Sequence, residues 1–292
     1  MTGLAPIDGL AVLAIVAKAI GYSAALLAIG GVLFSFIFAK RAEASVLRLA
    51  RRLAVVAVLV GLTVLAIRIG IRAARISGMG FEGATDPMML GFVWESPLGT
   101  AAIWRGFGEL AILAVLVPRI GQWIALLGSL AVAISFAQVG HALGDPRMIL
   151  VVLLALHLLT AAFWVGALVP LRRAALTPSG VDVLHHFGNV AALGVAFLIF
   201  AGTALAWLLS GSVTALFGTA YGLGLLLKVA IVAVLLGFAA FNKVRLVPAL
   251  RAEKAGAAHA LRRSILMEML AVVMILLATA TITSVTTPPI NL

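Results

Sequence analysis

The 292 residues are 64% hydrophobic and 11% charged, with a mean hydropathy of +1.22, whereas soluble domains carry about a quarter of their residues as charges. This excludes a soluble globular domain and defines an integral membrane protein. The formal net charge of +11 is not a nucleic-acid footprint, because the basic residues bunch in short gaps between apolar runs; the absence of cysteine excludes disulfides, thiolate metal sites and covalently attached c-type haem.

The apolar runs have the roughly 20-residue length that an α-helix needs to cross the hydrocarbon, and none shows the short alternating segments of a β-barrel. The first run, from Leu10 to Ala39, is too long for a signal peptide and has no basic segment before it, so it reads as a membrane helix. The chain is therefore predicted to be an all-α polytopic membrane protein, one integral domain over 1–292 with eight transmembrane helices. The spans fall near 9–39, 51–76, 98–117, 121–141, 147–171, 184–209, 219–243 and 263–285. An even number puts both termini on one side.

Charge sets the orientation. Lys40, Arg41, Arg48, Arg51 and Arg52 follow the first span, Arg119 the third, Arg172 and Arg173 the fifth, and Lys243, Arg245, Arg251, Lys254, Arg262 and Arg263 the seventh. The opposite gaps hold Glu82, Asp86, Glu95 and Asp145 with few bases, so the positive-inside bias places both termini outside the cytoplasm. The longest outer connection, from Ile76 to Pro97, has helix breakers, yet Met88-Met89-Leu90 and Phe92-Val93-Trp94 are too apolar for a free loop. A short interfacial helix with Trp94 at headgroup level is expected there.

A weak 4+4 parallel repeat is also legible, with a first half over 1–130 and a second over 131–292. Ser96-Pro97-Leu98-Gly99 leads to Arg105 much as Thr219-Ala220-Tyr221-Gly222 leads to Lys228, and Tyr22 to Gly31 has the spacing of His157 to Gly166.

Ionisable side chains inside spans are costly and count as functional candidates. Lys18, Arg68, Arg105, Glu109, His157 and Lys228 all lie at similar depth from the outer ends, while Glu268 lies nearer the cytoplasm. Arg105 and Glu109, four apart, can pair on one helix face. Two readings of this layer stand: a water-accessible outer vestibule, or structural pairing between helices with lysines reaching for the interface.

The stretch from Gln138 to Arg173 concentrates the ligand chemistry. His141 and His157 lie on the outer side with Met148 and the loop residues Met79, Met88 and Met89; imidazole and thioether are ligands suited to copper, and thioether favours Cu(I). Against this, a lone helical histidine is more often packed and hydrogen-bonded, and a methionine more often fills the core. His141 and His157 are also placed to serve as axial ligands of a haem b. His185, His186 and His259 read as interfacial, and Asn242 and Glu268 are placed to hydrogen-bond between the last two spans. No phosphate loop, zinc-protease helix or nucleophile motif is present, and the chain is not expected to be an enzyme.

Gly140-His141-Ala142, His157 through Trp164-Val165-Gly166, His186-Phe187, Tyr221-Gly222 with Lys228, Asn242, Arg263-Ser264 with Glu268, and Pro288 together resemble the copper resistance protein D family. The likeness is strongest from about Val132 to Pro289 and loose in the first half. It implies a multi-pass protein of the bacterial inner membrane in copper homeostasis, with both termini periplasmic. Such a protein imports copper, as Cu(I) or Cu(II), from the periplasm, often with a separate periplasmic copper-binding protein C. On that reading His141, His157 and the outer methionines receive copper, and Trp164, Tyr221, Lys228, Asn242 and Glu268 shape the path or gate. A membrane haem protein for electron transfer or metal reduction, and a non-transporting partner in copper resistance, are the alternatives.

Overall fold

The structure, a computed structural model, describes residues 4–139 and 146–287. Among them eight helices are long and apolar enough to cross a bilayer, the predicted number. The chain runs through α1 (Gly9–Ile37), α2 (Ala44–Ser77), a short α3 (Pro87–Glu95) and α4 (Pro97–Ile112), which a tight 3-10 turn extends to Leu116. Then come α5 (Ile120–Ser135), similarly extended to Gln138, α6 (Arg147–Ala174), α7 (Gly180–Ser210) and a short α8 (Val213–Gly218). A π turn, Asn242–Leu246, joins α9 (Ala220–Phe241) to α10 (Val247–Arg251), and α11 (Ala257–Val285) closes the bundle. The short helix expected before the third span is α3.

Three long helices start earlier than predicted: α2 at Ala44 rather than 51, α7 at Gly180 rather than 184, and α11 at Ala257 rather than 263. Hydropathy marks where hydrocarbon begins, whereas the helix itself continues into the interface. Arg48, Arg51 and Arg52, and likewise His259, Arg262 and Arg263, thus sit on helical turns from which long basic side chains reach water. At the opposite face the helix starts carry side-chain caps. Asp8, Asp86, Ser96, Ser212 and Thr219 accept from the amides of Ala11, Met89, Leu98, Ala215 and Gly222 at 2.7–3.2 Å. The chain ends meet on this face, where the Ala5 amide donates to the Val285 carbonyl at 2.8 Å.

Central in the bundle is α1, which packs on α2, α5, α6 and α11. It crosses α6 at Gly30 and Gly166, where a Cβ on either glycine would collide with the other's backbone. Gly31 approaches α2 as closely, its Cβ position falling 2.6 Å from the Ala50 carbonyl. Small residues substitute here for a hydrophobic driving force that lipid does not supply. Toward the basic face, Phe34 of α1 and Phe38, which caps its end, stack and pack with Trp164 and Leu168 of α6 and Leu261 and Ile265 of α11. On α7 and α9, Leu193, Phe200, Leu227 and Val234 point outward, a fault in water but a normal lipid-facing surface in a bilayer.

The local pattern noticed in the two halves has a structural counterpart. A short helix, α3 or α8, precedes a Ser or Thr cap, Ser96 or Thr219. The glycine three residues on, Gly99 or Gly222, packs back so tightly on the short helix that a Cβ would strike its last turn. Arg105 and Lys228 then occupy the same position in α4 and α9, nine residues after the cap.

Candidate functional site

The charged layer read as one belt divides into two clusters. The first joins α1, α2, α4 and α5. Arg105, buried, donates from Nε to Ser135 Oγ at 3.2 Å, and its guanidinium lies 3.8 Å above the Phe136 ring. Tyr22 packs against the same ring with centroids 5.6 Å apart and shares a 3.2 Å hydrogen bond with Thr283 of α11. Lys18 donates to the Thr283 carbonyl at 2.7 Å. Arg68 runs along Gly21 within electrostatic reach of Lys18, Tyr22 and Arg105. Glu109 presses on Gly61 of α2, and its Oε2 is buried with no hydrogen-bond partner among the described residues. Arg105 and Glu109 interact electrostatically along one face of α4, while the arginine's hydrogen bond goes to Ser135.

The second cluster lies on α6, α7 and α9. His157 projects from α6 with its Cε1 beside Gly202 of α7, 3.7 Å from where a Cβ would stand, and within electrostatic reach of Lys228 on α9. Its Nδ1 is buried and has no hydrogen-bond partner among the described residues. A buried polar nitrogen without a protein partner is uncommon in native structures and points to a ligand, an ion or an ordered water beside it.

Seven residues beyond His157, two helical turns or about 10 Å along the same face of α6, Trp164 opens a third polar group near the basic face. Its indole Nε1 donates to Glu268 Oε2 of α11 at 3.2 Å, and the Asn242 amide Nδ2 donates to Glu268 Oε1. All three side chains are buried. The expected bond between Asn242 and Glu268 is present, and Trp164 is the partner that spacing alone did not reveal. Asn242 opens the π turn, a distortion that often accompanies function. Tyr221, Lys228 and Leu235 of α9 and Asn242 at the start of the π turn recur at seven-residue intervals, so they share one face.

The methionines are dispersed. Met79, Met88 and Met148 are exposed, Met79 before the turn that leads to α3, Met88 with half-buried Met89 on the first turn of α3, and Met148 on the first turn of α6. Met148 lies nine residues, about 14 Å, before His157 on one helix, so the two cannot hold one ion together. His141, with Gly140, Ala142 and Pro288 of the family-like pattern, lies outside the described residues. Among the described His, Asp and Glu side chains no three converge to hold a metal. At the basic face, Lys40, Arg41, Asp182, His185, His186 and Asn189 line a cavity of about 430 Å³.

Fold and site together define a polytopic all-α membrane protein with polar groups threaded through its second half. Two family models match it: "Copper resistance protein D-like, N-terminal domain" over residues 8–146 and "Copper resistance protein D" over residues 181–282. The chain belongs to the copper resistance protein D family. The first half, read as only loosely similar, is matched by a model of its own. Copper resistance protein D of Pseudomonas syringae pv. tomato is 28% identical over 75% of this chain and 78% of its own length. Copper transport protein CutJ of Bacillus subtilis is 27% identical over 72% of this chain and 42% of its own length. No solved structure matches significantly.

Proposed function

We propose that this protein carries copper across the bacterial inner membrane, accepting the ion on the periplasmic side and releasing it to the cytoplasm. Family membership supports copper as the cargo, and one structural observation carries the site: the buried, unpartnered Nδ1 of His157 among α6, α7 and α9. His141 and His157 serve as ligands, and Met79, Met88, Met89 and Met148 take copper from a donor at the outer surface. A separate periplasmic copper-binding protein C fits that donor role. Tyr221 and Lys228 line the path, and Trp164, Asn242 and Glu268 form its inner gate. Neutral imidazole and thioether hold copper without thiolate, which leaves it exchangeable. Charge bias supports periplasmic termini.

The test is copper uptake into proteoliposomes. His157→Ala is expected to reduce uptake to the level of empty vesicles while purified protein keeps its helical content and unfolding temperature. Wild-type uptake by the variant removes His157 from the path.

A further inference from the structure

The group around Glu268 contains more than a gate requires. A buried carboxylate normally faces a cation, because an isolated ionised carboxylate is expensive in the interior. Glu268 faces two neutral donors, the Trp164 indole and the Asn242 amide, one on each oxygen. Of the charged groups on the surrounding elements, Arg172 on α6 and Arg262 on α11 are half-buried with Nε unpartnered among the described residues, and neither bonds Glu268; the others are engaged elsewhere or point outward. On α1, Lys18 bonds Thr283 at the far end of α11; on the π turn, Lys243 donates to the Gly188 carbonyl at 2.9 Å. Arg245, Arg251 and Arg263 are exposed. His157 and Lys228 lie in the outer half of the bundle, and the hydrogen-bond partners of Glu268 among the described residues are Trp164 and Asn242.

The donors also argue against a bound hard cation at this position. A hard-cation cage converges oxygens on one point. Here the Asn242 amide offers its nitrogen to the carboxylate, while its oxygen, Oδ1, is buried without a partner. Ser264 Oγ, on the same helix face one turn before Glu268, is likewise buried and unpartnered. The surroundings therefore suit both protonation states. Charged Glu268 accepts from Nδ2. Protonated Glu268 has an O–H to donate, and rotation of the Asn242 amide by half a turn presents Oδ1 to receive it.

We propose, on the reading that this chain moves copper, that Glu268 is a proton-carrying carboxylate, its two states matched by the two orientations of the Asn242 amide, and that it couples copper movement to the proton gradient. The balance is simple: the carboxylate takes one proton from one side and gives it up to the other in each cycle, with no redox change. The π turn at Asn242 supplies the backbone irregularity on which the amide is mounted. On the cytoplasmic side, Phe187 follows cavity-lining His186 and packs edge-on against Trp164, so water at the mouth stands one aromatic layer from the carboxylate.

Two measurements test this on the full chain. In proteoliposomes with the membrane potential clamped, copper accumulation by the wild type is expected to change about tenfold per unit of imposed pH gradient, the value for one proton per copper. Infrared titration of purified protein is expected to show a protonated-carboxylic-acid carbonyl band that grows as pH falls and is missing from Glu268→Gln. In Trp164→Phe, where the charged form has lost a donor, the band should appear at higher pH. Copper accumulation indifferent to the pH gradient overturns the proposal and leaves transport standing. A wild type that moves no copper overturns transport, and the infrared band still decides whether Glu268 exchanges a proton. A band unchanged in Glu268→Gln overturns the assignment outright.

Discussion

The outer polar clusters of the two halves are built on one plan and finished differently. In each, a capping hydroxyl stands nine residues before a base, Ser96 before Arg105 and Thr219 before Lys228. In each, a ring stands nine residues before a helix-crossing glycine, Tyr22 before Gly31 and His157 before Gly166. In the first half every member of this pattern is engaged: Arg105 with Ser135 and Phe136, Tyr22 with Phe136 and Thr283. In the second half His157 Nδ1 has no hydrogen-bond partner among the described residues, and Val232 stands where the first half has Glu109, whose own Oε2 is likewise unpartnered. The first-half cluster ties α1, α4, α5 and α11 together, whereas the second-half histidine leaves a buried nitrogen for the proposed cargo.

Breaking each side of this comparison should give opposite phenotypes. The largest effect is expected from His157→Ala, which should reduce uptake to background with little change in thermal unfolding. Arg105→Ala should do the reverse. It removes a buried cation from Ser135, Phe136 and Glu109, and a loss of about 3–5 kcal/mol is expected in detergent unfolding measurements. Gly166→Val drives a side chain into Gly30, and overpacking of this kind costs about 1–3 kcal/mol, visible as a lowered unfolding temperature. Ser135→Ala removes one hydrogen bond from Arg105, and about 1 kcal/mol is expected by the same assay. The smallest change sharpens the comparison. Tyr22→His gives the first half its missing imidazole, yet should add no copper to the purified protein by metal analysis, because the groups its ring contacts, Phe136 and Thr283, are already engaged by Arg105 and Lys18.

Eight spans were legible because apolar length and basic gaps are strong signals that depend on composition alone. Helix starts were less so, since Arg48 or Arg262 looks like a gap residue in a hydropathy profile while being helical in fact. The charged layer was found by counting depth from the outer ends. Depth gives height but not direction around the bundle, so one layer was read where two clusters stand. Tyr22, Ser135, Phe136 and Thr283 were absent from the charge count because it followed only ionisable groups, although the spacing from Tyr22 to Gly31 already matched that of His157 to Gly166. The bond of Asn242 to Glu268 followed from their shared position near the helix ends. Trp164, on a different helix, had a motif but no visible partner. The glycine of that Trp164-Val165-Gly166 motif is explained by packing, since it is the point at which α6 meets α1.

The central claim is that His157, and not the matching first-half cluster, holds the cargo. Copper stoichiometry of purified protein, with X-ray absorption on the same sample, tests it most directly. The account predicts one copper with imidazole nitrogen in its shell for the wild type and Arg105→Met, and none for His157→Ala. Equal copper with an unchanged shell in His157→Ala would contradict it.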